Sequence, residues 1–213
     1  SEFRAWKSGP GLRVHLHVGE LLRRDGRIAL GMPAFPAMGD ADVAAVLGFL
    51  RSSPPPPVLE PVATKQPAST LTLAGTMRHA SAASPALEGA ATGIPVPSAG
   101  ATLEYGRYLS DDVYRCGDCH ASPGGESYVG GAVFEVAGGG RVVAPNLSPS
   151  QAHGIGAWTF ADFAHAVRDG VAKDGFVLRH PMPRLRLSDD TELGAIYAYL
   201  MSRPARDVAR SRV

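Results

Sequence analysis

Cys116-Gly117-Asp118-Cys119-His120, CGDCH, contains both cysteines of this 213-residue chain, and a histidine follows the second directly. Gathering every thiol into five residues restricts what they can do. A disulfide framework needs more cysteines. A four-cysteine zinc site needs a second pair. A thioredoxin-like redox pair follows a strand in a βαβ unit, and the segment ahead of Cys116 has a helical pattern instead. The arrangement that fits is Cys-x-x-Cys-His, the attachment signature of c-type haem. Two thiols at this spacing add across the two vinyl groups of the porphyrin, and the next residue places an imidazole under the iron. A short helix carrying all three groups fixes the ring, and a ring bound through thioethers cannot dissociate. One covalently attached haem c is expected, with Cys116, Cys119 and His120 as its attachment residues.

Iron held by His120 takes a sixth ligand or leaves that position open. Histidine–methionine ligation raises the reduction potential and suits electron transfer. The methionines that follow CGDCH are Met182 and Met201. Met201 falls at the end of a helical segment, where filling space is its expected role. Met182 lies in HPMPR (180–184), between Pro181 and Pro183, which remove backbone freedom and present the thioether from an extended segment. The expected metal ligands are therefore His120 and Met182. The alternatives are a Met182 packed in the core and a His180 ligand giving a bis-histidine iron.

Outward from this site, residues 101–205 read as a small, mainly α domain. A first helix is expected from Thr102 to about Val113, with Leu103, Tyr105 and Leu109 facing inward. VFEV (133–136) and RVVAP (141–145) suit a short hairpin. Thr159 is placed to cap a helix whose apolar residues Phe160, Phe163, Ala164, Val167 and Val171 keep helical spacing. Ser188 is placed to cap the last helix, with Asp189 and Asp190 in its first turn, where the helix dipole favours acids. Leu193, Ile196, Tyr197 and Leu200 make its inner stripe.

The first 53 residues repeat the end of this pattern. With Met32 set on Met182, an offset of 150, MPAFPAMGDADVAAVLGFLRSSP runs beside MPRLRLSDDTELGAIYAYLMSRP without a gap. Val43, Val46, Leu47 and Leu50 fall on the inner stripe of the last helix. One residue shorter, at 149, RRDG (23–26) falls on AKDG (172–175). This is an internal duplication, and it is incomplete, because nothing in 1–31 corresponds to CGDCH. His15 and His17 in RVHLH alternate along an expected strand rather than forming a ligand pair. Residues 54–100 open on four prolines and are rich in Ala, Ser, Thr, Pro and Gly without a sustained period, so they read as an irregular linker. Residues 206–213 read as a tail.

Composition excludes several classes. With 21 basic and 20 acidic side chains the net charge is +1, which argues against a nucleic-acid partner. No run of 18 apolar residues exists, so no transmembrane segment is expected. The first residues, SEFRAWKSGPG, have no apolar signal core.

CGDCH, APNLSP (144–149), GIGAW (154–158), FADFAHAVRDGVAKDG (160–175) and MPRLRLSDDTELGAIYAYLMS (182–202) together resemble the repeated haem domains of bacterial di- and tri-haem cytochromes c, the electron-transfer subunits of periplasmic dehydrogenases. The resemblance covers about residues 102–204, and 13–53 as the closing half of a preceding domain. It implies a class I cytochrome c fold, with His120 proximal and Met182 distal, preceded by a partial second cytochrome c-like domain across the long linker. It implies that Asn146 and the Trp158 indole lie near the haem edge or its propionates; core packing is the plainer role for Trp158. Arg179, Arg184 and Arg186 surround Met182, where propionates, a partner's acidic patch or solvent would take them.

The expected function is that of a haem-c electron carrier with no substrate chemistry of its own. It would pass single electrons between a periplasmic dehydrogenase subunit and a downstream cytochrome or oxidase. The expected location is periplasmic or extracytoplasmic, with membrane association through a partner. Family members carry a haem motif in each domain, so Met32 looks like an axial methionine without a haem. A missing upstream segment or another chain completing the N-terminal domain would account for it, as would loss of the haem half. The rival function is an open-site haem enzyme or a sensor of gas or peroxide, with His153, His165 or His180 as the distal group. A third reading is a structural role within a larger dehydrogenase.

Overall fold

The computed structural model describes residues 21–22, 28–29, 35–52, 93–136, 140–185 and 189–209. The chain divides into two compact units, Ser1–Val96 and Pro97–Val213. The expectations for RVHLH, Met32, Arg186, Ser188 and linker residues 54–92 lie outside the described residues. Among those described, helix dominates and strands are few and short.

In the first unit, strands β1 (Leu21–Leu22) and β2 (Ile28–Ala29) pair antiparallel, with Leu22 opposite Ile28. Helix α1 (Asp40–Arg51) follows. The end of the expected linker docks on its first turn: Gly93 N donates to Asp40 Oδ2 at 2.9 Å, and Asp40 N donates to Ile94 O at 3.0 Å. Val43 is fully buried and Leu47 half-buried, but Val46 is exposed.

The second unit opens with α2 (Leu103–Tyr108), capped by Thr102 Oγ1, which accepts from Tyr105 N at 3.2 Å. The single helix expected over 102–113 is in fact two pieces. After Tyr108 the backbone widens into a π-helical turn, Leu109–Val113, closed by Tyr114 N donating to Leu109 O at 2.8 Å. Leu103 is 53% exposed, contrary to expectation. It stands two residues from Tyr105, and positions two apart lie on opposite sides of a helix, so of the three expected residues Tyr105 and Leu109 alone are buried.

Helix α3 (Cys116–Cys119) is a single turn. The expected hairpin forms from β3 (Val133–Val136) and β4 (Gly140–Val143), in register Val133↔Val143 through Val136↔Gly140. Helix α4 (Phe160–Asp169) begins at a capping box. Thr159 Oγ1 accepts from Asp162 N at 3.2 Å, and the Asp162 carboxylate accepts from Thr159 N at 2.8 Å. It ends at Gly170, whose φ of +76° stops the helix. Val171 therefore falls beyond the helix and bridges to Val177 instead.

Helix α5 (Asp190–Ser202) is capped by Asp189, whose carboxylate accepts from Thr191 N at 2.7 Å. An acidic cap suits the positive end of the helix dipole. Leu193, Ala195, Ile196 and Leu200 are buried, and half-buried Tyr197 stacks with Phe160 and Phe163 of α4. The core forms where α5 crosses α2. A Cβ on Gly106 would lie 2.0 Å from Ala195 O, so the backbones meet there and only glycine fits.

Candidate functional site

The CGDCH turn follows the π-helical turn through Arg115, a non-glycine residue in the left-handed region at φ 52°. An Arg115–Asp118 ion pair braces this reversal. His120 N donates to Cys116 O at 3.0 Å, so both thiols and the imidazole belong to one helical turn. Both cysteines are free; Cys119 is exposed and Cys116 half-buried. Burial pushes the Cys116 thiol up to about 12, so it stays protonated at neutral pH. The turn packs closely on the loop that follows, because a Cβ on Gly117 would meet Tyr128 Cζ at 3.2 Å.

His120 is 6% exposed. Its Nδ1 lies 2.9 Å from Pro145 O. A carbonyl only accepts, so Nδ1 carries the proton and Nε2 keeps its lone pair. Burial lowers the pKa of the ring, and the Pro145 bond offsets this only in part. The result is a neutral imidazole in a fixed tautomer, the form a metal ligand requires.

The Pro145–Asn146 peptide that carries this carbonyl is held on two sides. Gly130, at φ +77°, backs it so closely that a Cβ would lie 2.5 Å from Pro145 C and 2.7 Å from Pro145 O. Asn146, 5% exposed, anchors it from the other side: Nδ2 donates to Arg206 O at 2.7 Å and Oδ1 accepts from Ser148 N at 2.8 Å. The Asn146 amide thus spends its acceptor and one donor on the protein. Pro145 falls within APNLSP, but that motif does not show what its carbonyl does, and no motif marks the C-terminal segment. For Gly130 the signal is the Gly130–Gly131 pair.

A polar cluster lies behind the turn. The hydroxyls of Tyr128 and Tyr199 both donate to Asp111, that of Tyr199 at 2.9 Å. Arg203 donates to Tyr199 Oη at 2.7 Å and covers the Tyr128 ring at 4.6 Å. Burial first and Asp111 second push both phenols up, so they stay neutral donors.

Met182 is half-buried in the segment after α4. That segment is tied back by Leu178 N to Gly170 O at 2.7 Å and Leu185 N to Val167 O at 3.0 Å, and Met182 N donates to Arg179 O at 3.0 Å. Among the described residues, no hydrogen bond joins Met182 or Trp158 to the Cys116–His120 turn. Trp158 is half-buried, and its carbonyl accepts from Tyr197 Oη at 2.8 Å. Arg179 lies over Phe176 at 5.4 Å, and the Arg184 side chain runs past Gly170. His153 and His180 are exposed, and exposed His165 pairs with Asp169 at 2.7 Å.

This donor set fits a c-type haem: two free thiols and a neutral, buried imidazole with its Nδ1–H engaged, all on one turn. Among the described residues, no three His, Cys, Asp or Glu side chains gather to hold a bare ion.

No protein-family model matches the chain. It is 38% identical over 106 residues to the cytochrome c subunit of a quinone alcohol dehydrogenase from Gluconacetobacter polyoxogenes, covering 47% of this chain and 22% of that protein. It is 36% identical over 106 residues to the gluconate 2-dehydrogenase cytochrome c subunit of Pantoea cypripedii, covering 47% and 23%. It is also 36% identical over 115 residues to a nicotinate dehydrogenase subunit from Pseudomonas putida, covering 51% and 9%. Over about half of its length the chain is similar to cytochrome c subunits of dehydrogenases. The chain spans less than a quarter of the length of these curated relatives. Among its described residues no helix is long and apolar enough to cross a membrane.

Proposed function

We propose that the chain carries single electrons between a periplasmic dehydrogenase and a downstream acceptor, through one haem c. The observation that carries this reading is His120, neutral, buried and aimed by Pro145 O, on the same turn as two free thiols. Cys116 and Cys119 would hold the porphyrin through thioethers, and His120 Nε2 and the Met182 thioether would ligate its iron. Bound there, the haem supplies reversible one-electron chemistry. The protein would supply the iron ligands, and buried Tyr128, Ile155 and Phe163 contribute to an apolar interior that limits water. Asn146 and Trp158 would lie near the haem edge, where the second Asn146 donor and the indole N–H could reach it. Relatives of this chain are named as cytochrome c subunits of dehydrogenases, which favours a dehydrogenase partner and an extracytoplasmic site. The domain is of the class I cytochrome c type.

Residues 1–53 act as the closing half of a second such domain, with Met32 in the place of Met182. The offsets that align the sequences also align local structure. Leu22↔Ile28 and Val171↔Val177 are both antiparallel pairs, 149 residues apart at each end. Helices α1 and α5 begin at Asp40 and Asp190, 150 apart.

The absorption spectrum of the purified protein, with reduction and carbon monoxide, tests the assignment. Covalent haem, a weak far-red methionine–iron band and no response to carbon monoxide are expected. In Met182→Ala the haem stays attached, the potential falls and carbon monoxide binds. Prompt carbon monoxide binding by the parent protein would replace this reading with an open-site enzyme or sensor.

A further inference from the structure

We propose that the segment after the last helix, residues 204–207, is a strap that positions the proximal histidine and so sets the reduction potential. The proposal rests on His120 being the iron ligand. The strap crosses the two loops that flank His120. On one side, Asn146 Nδ2 donates to Arg206 O at 2.7 Å, Arg206 N donates to Ser148 Oγ at 3.0 Å, and Ser148 Oγ donates to Arg206 O at 3.4 Å. Ser150 Oγ donates to the Asp207 carboxylate. On the other side, Arg206 Nε donates to Glu126 Oε1 at 2.6 Å.

Asn146, Ser148 and Ser150 are all buried, at 5%, 2% and 1% exposure. Their polar groups must be satisfied, and the strap is what satisfies several of them. Asn146 shares its peptide unit with the Pro145 carbonyl that accepts from His120 Nδ1. Gly130 packs directly against that peptide. The strap ties down the side chain of its Asn146 end. The carbonyl is thereby held at 2.9 Å from the ring nitrogen.

The consequence is electronic. An acceptor hydrogen-bonded to the ring nitrogen that faces away from the metal makes the imidazole a stronger donor, and a stronger donor favours the oxidised metal. Loosening the strap lengthens the Pro145–His120 bond, weakens the donor and shifts the potential positive. Simple charge removal acts in the opposite direction. Residues 204–213 carry three arginines and one aspartate, so deleting them removes positive charge, which by itself lowers the potential.

The test compares the full chain with two variants, a truncation after Arg203 and Ser148→Ala. Potentials are read by spectroelectrochemistry, and exchange of the His120 Nδ1 proton by NMR on the reduced protein. Both variants are expected to show a positive potential shift and at least about tenfold faster Nδ1–H exchange, the size expected for losing one or two hydrogen bonds. Ser148→Ala deletes a single oxygen, so it serves if the truncation fails to fold. A strap that merely stabilises would lower the melting temperature while leaving potential and exchange unchanged, and that result would overturn the proposal. A negative shift with unchanged exchange would mean charge alone and would overturn it equally. A parent protein without covalent haem would sink the assignment of His120 instead, so the two failures are distinguishable.

Discussion

At the scale of single residues, the site depends on groups that carry no chemistry. Gly130 is one. Its φ of +77° is unfavourable for any other residue, and the space for a Cβ is filled by the Pro145–Asn146 peptide. Gly130→Ala must strain its own backbone or push the Pro145 carbonyl out of line with His120. A loss of about 1–3 kcal/mol of stability is expected, measurable by denaturant unfolding, together with faster exchange at His120. Ser110 is the converse case. Its hydroxyl is fully buried and, among the described residues, has no hydrogen-bond partner. An unsatisfied buried hydroxyl costs about 1–3 kcal/mol, so Ser110→Ala is expected to leave stability unchanged or raise it by about 1 kcal/mol, as a thermal melt would show. The CGDCH residues are legible in the sequence because thioether attachment requires that spacing. The roles of Gly130, the Pro145 carbonyl and the Arg206 backbone are not, because they act through backbone atoms or close contact.

Among the elements, the crossing of α2 and α5 holds the second unit together. Gly106 meets Ala195 O and Tyr199 Cβ with no room for a methyl group. Gly106→Ala is expected to cost about 2–3 kcal/mol by forcing the helices apart. Circular dichroism melts of the haem-loaded protein would read this, and an unchanged midpoint would show that the crossing yields easily. Helical patterns are reliable where a whole turn of apolar residues repeats, as in α4 and α5. They fail at Leu103, where apolar character alone does not mark an inward face, and at 109–113, where the π-helical turn follows no local pattern. The same comparison distinguishes the units. Ala195 and Ile196 of α5 are buried under α2, whereas Ala45 and Val46, at the same places on α1, are exposed. Equal sequence patterns give unequal burial because burial depends on what lies opposite.

For the molecule as a whole, acid stability follows from its helix caps. Asp162 is held below its ordinary value of 3.8 first by the Thr159 backbone N–H, and Asp189 likewise by that of Thr191. The unfolded chain therefore binds more protons than the folded one in this range. The stabilisation is present above pH 3.8 and is lost as pH falls through the lowered folded values. Asp112, raised by burial, opposes the trend. The melting temperature is expected to drop below about pH 4, and Asp162→Asn to flatten part of that drop. A melting temperature independent of pH in this window would show that the caps are already broken.

Residue order alone encodes the attachment turn, the succession of helices, the hairpin and the repeat, because each is written as spacing within a few residues or as self-similarity. The tautomer of His120, the clamping of the Pro145 carbonyl and the joining of Arg206 to Asn146 exist only in the folded chain. Those depend on backbone atoms 25 and 60 residues distant in the chain. No local pattern records a carbonyl's direction, and only folding brings such a donor and acceptor within hydrogen-bonding distance of each other.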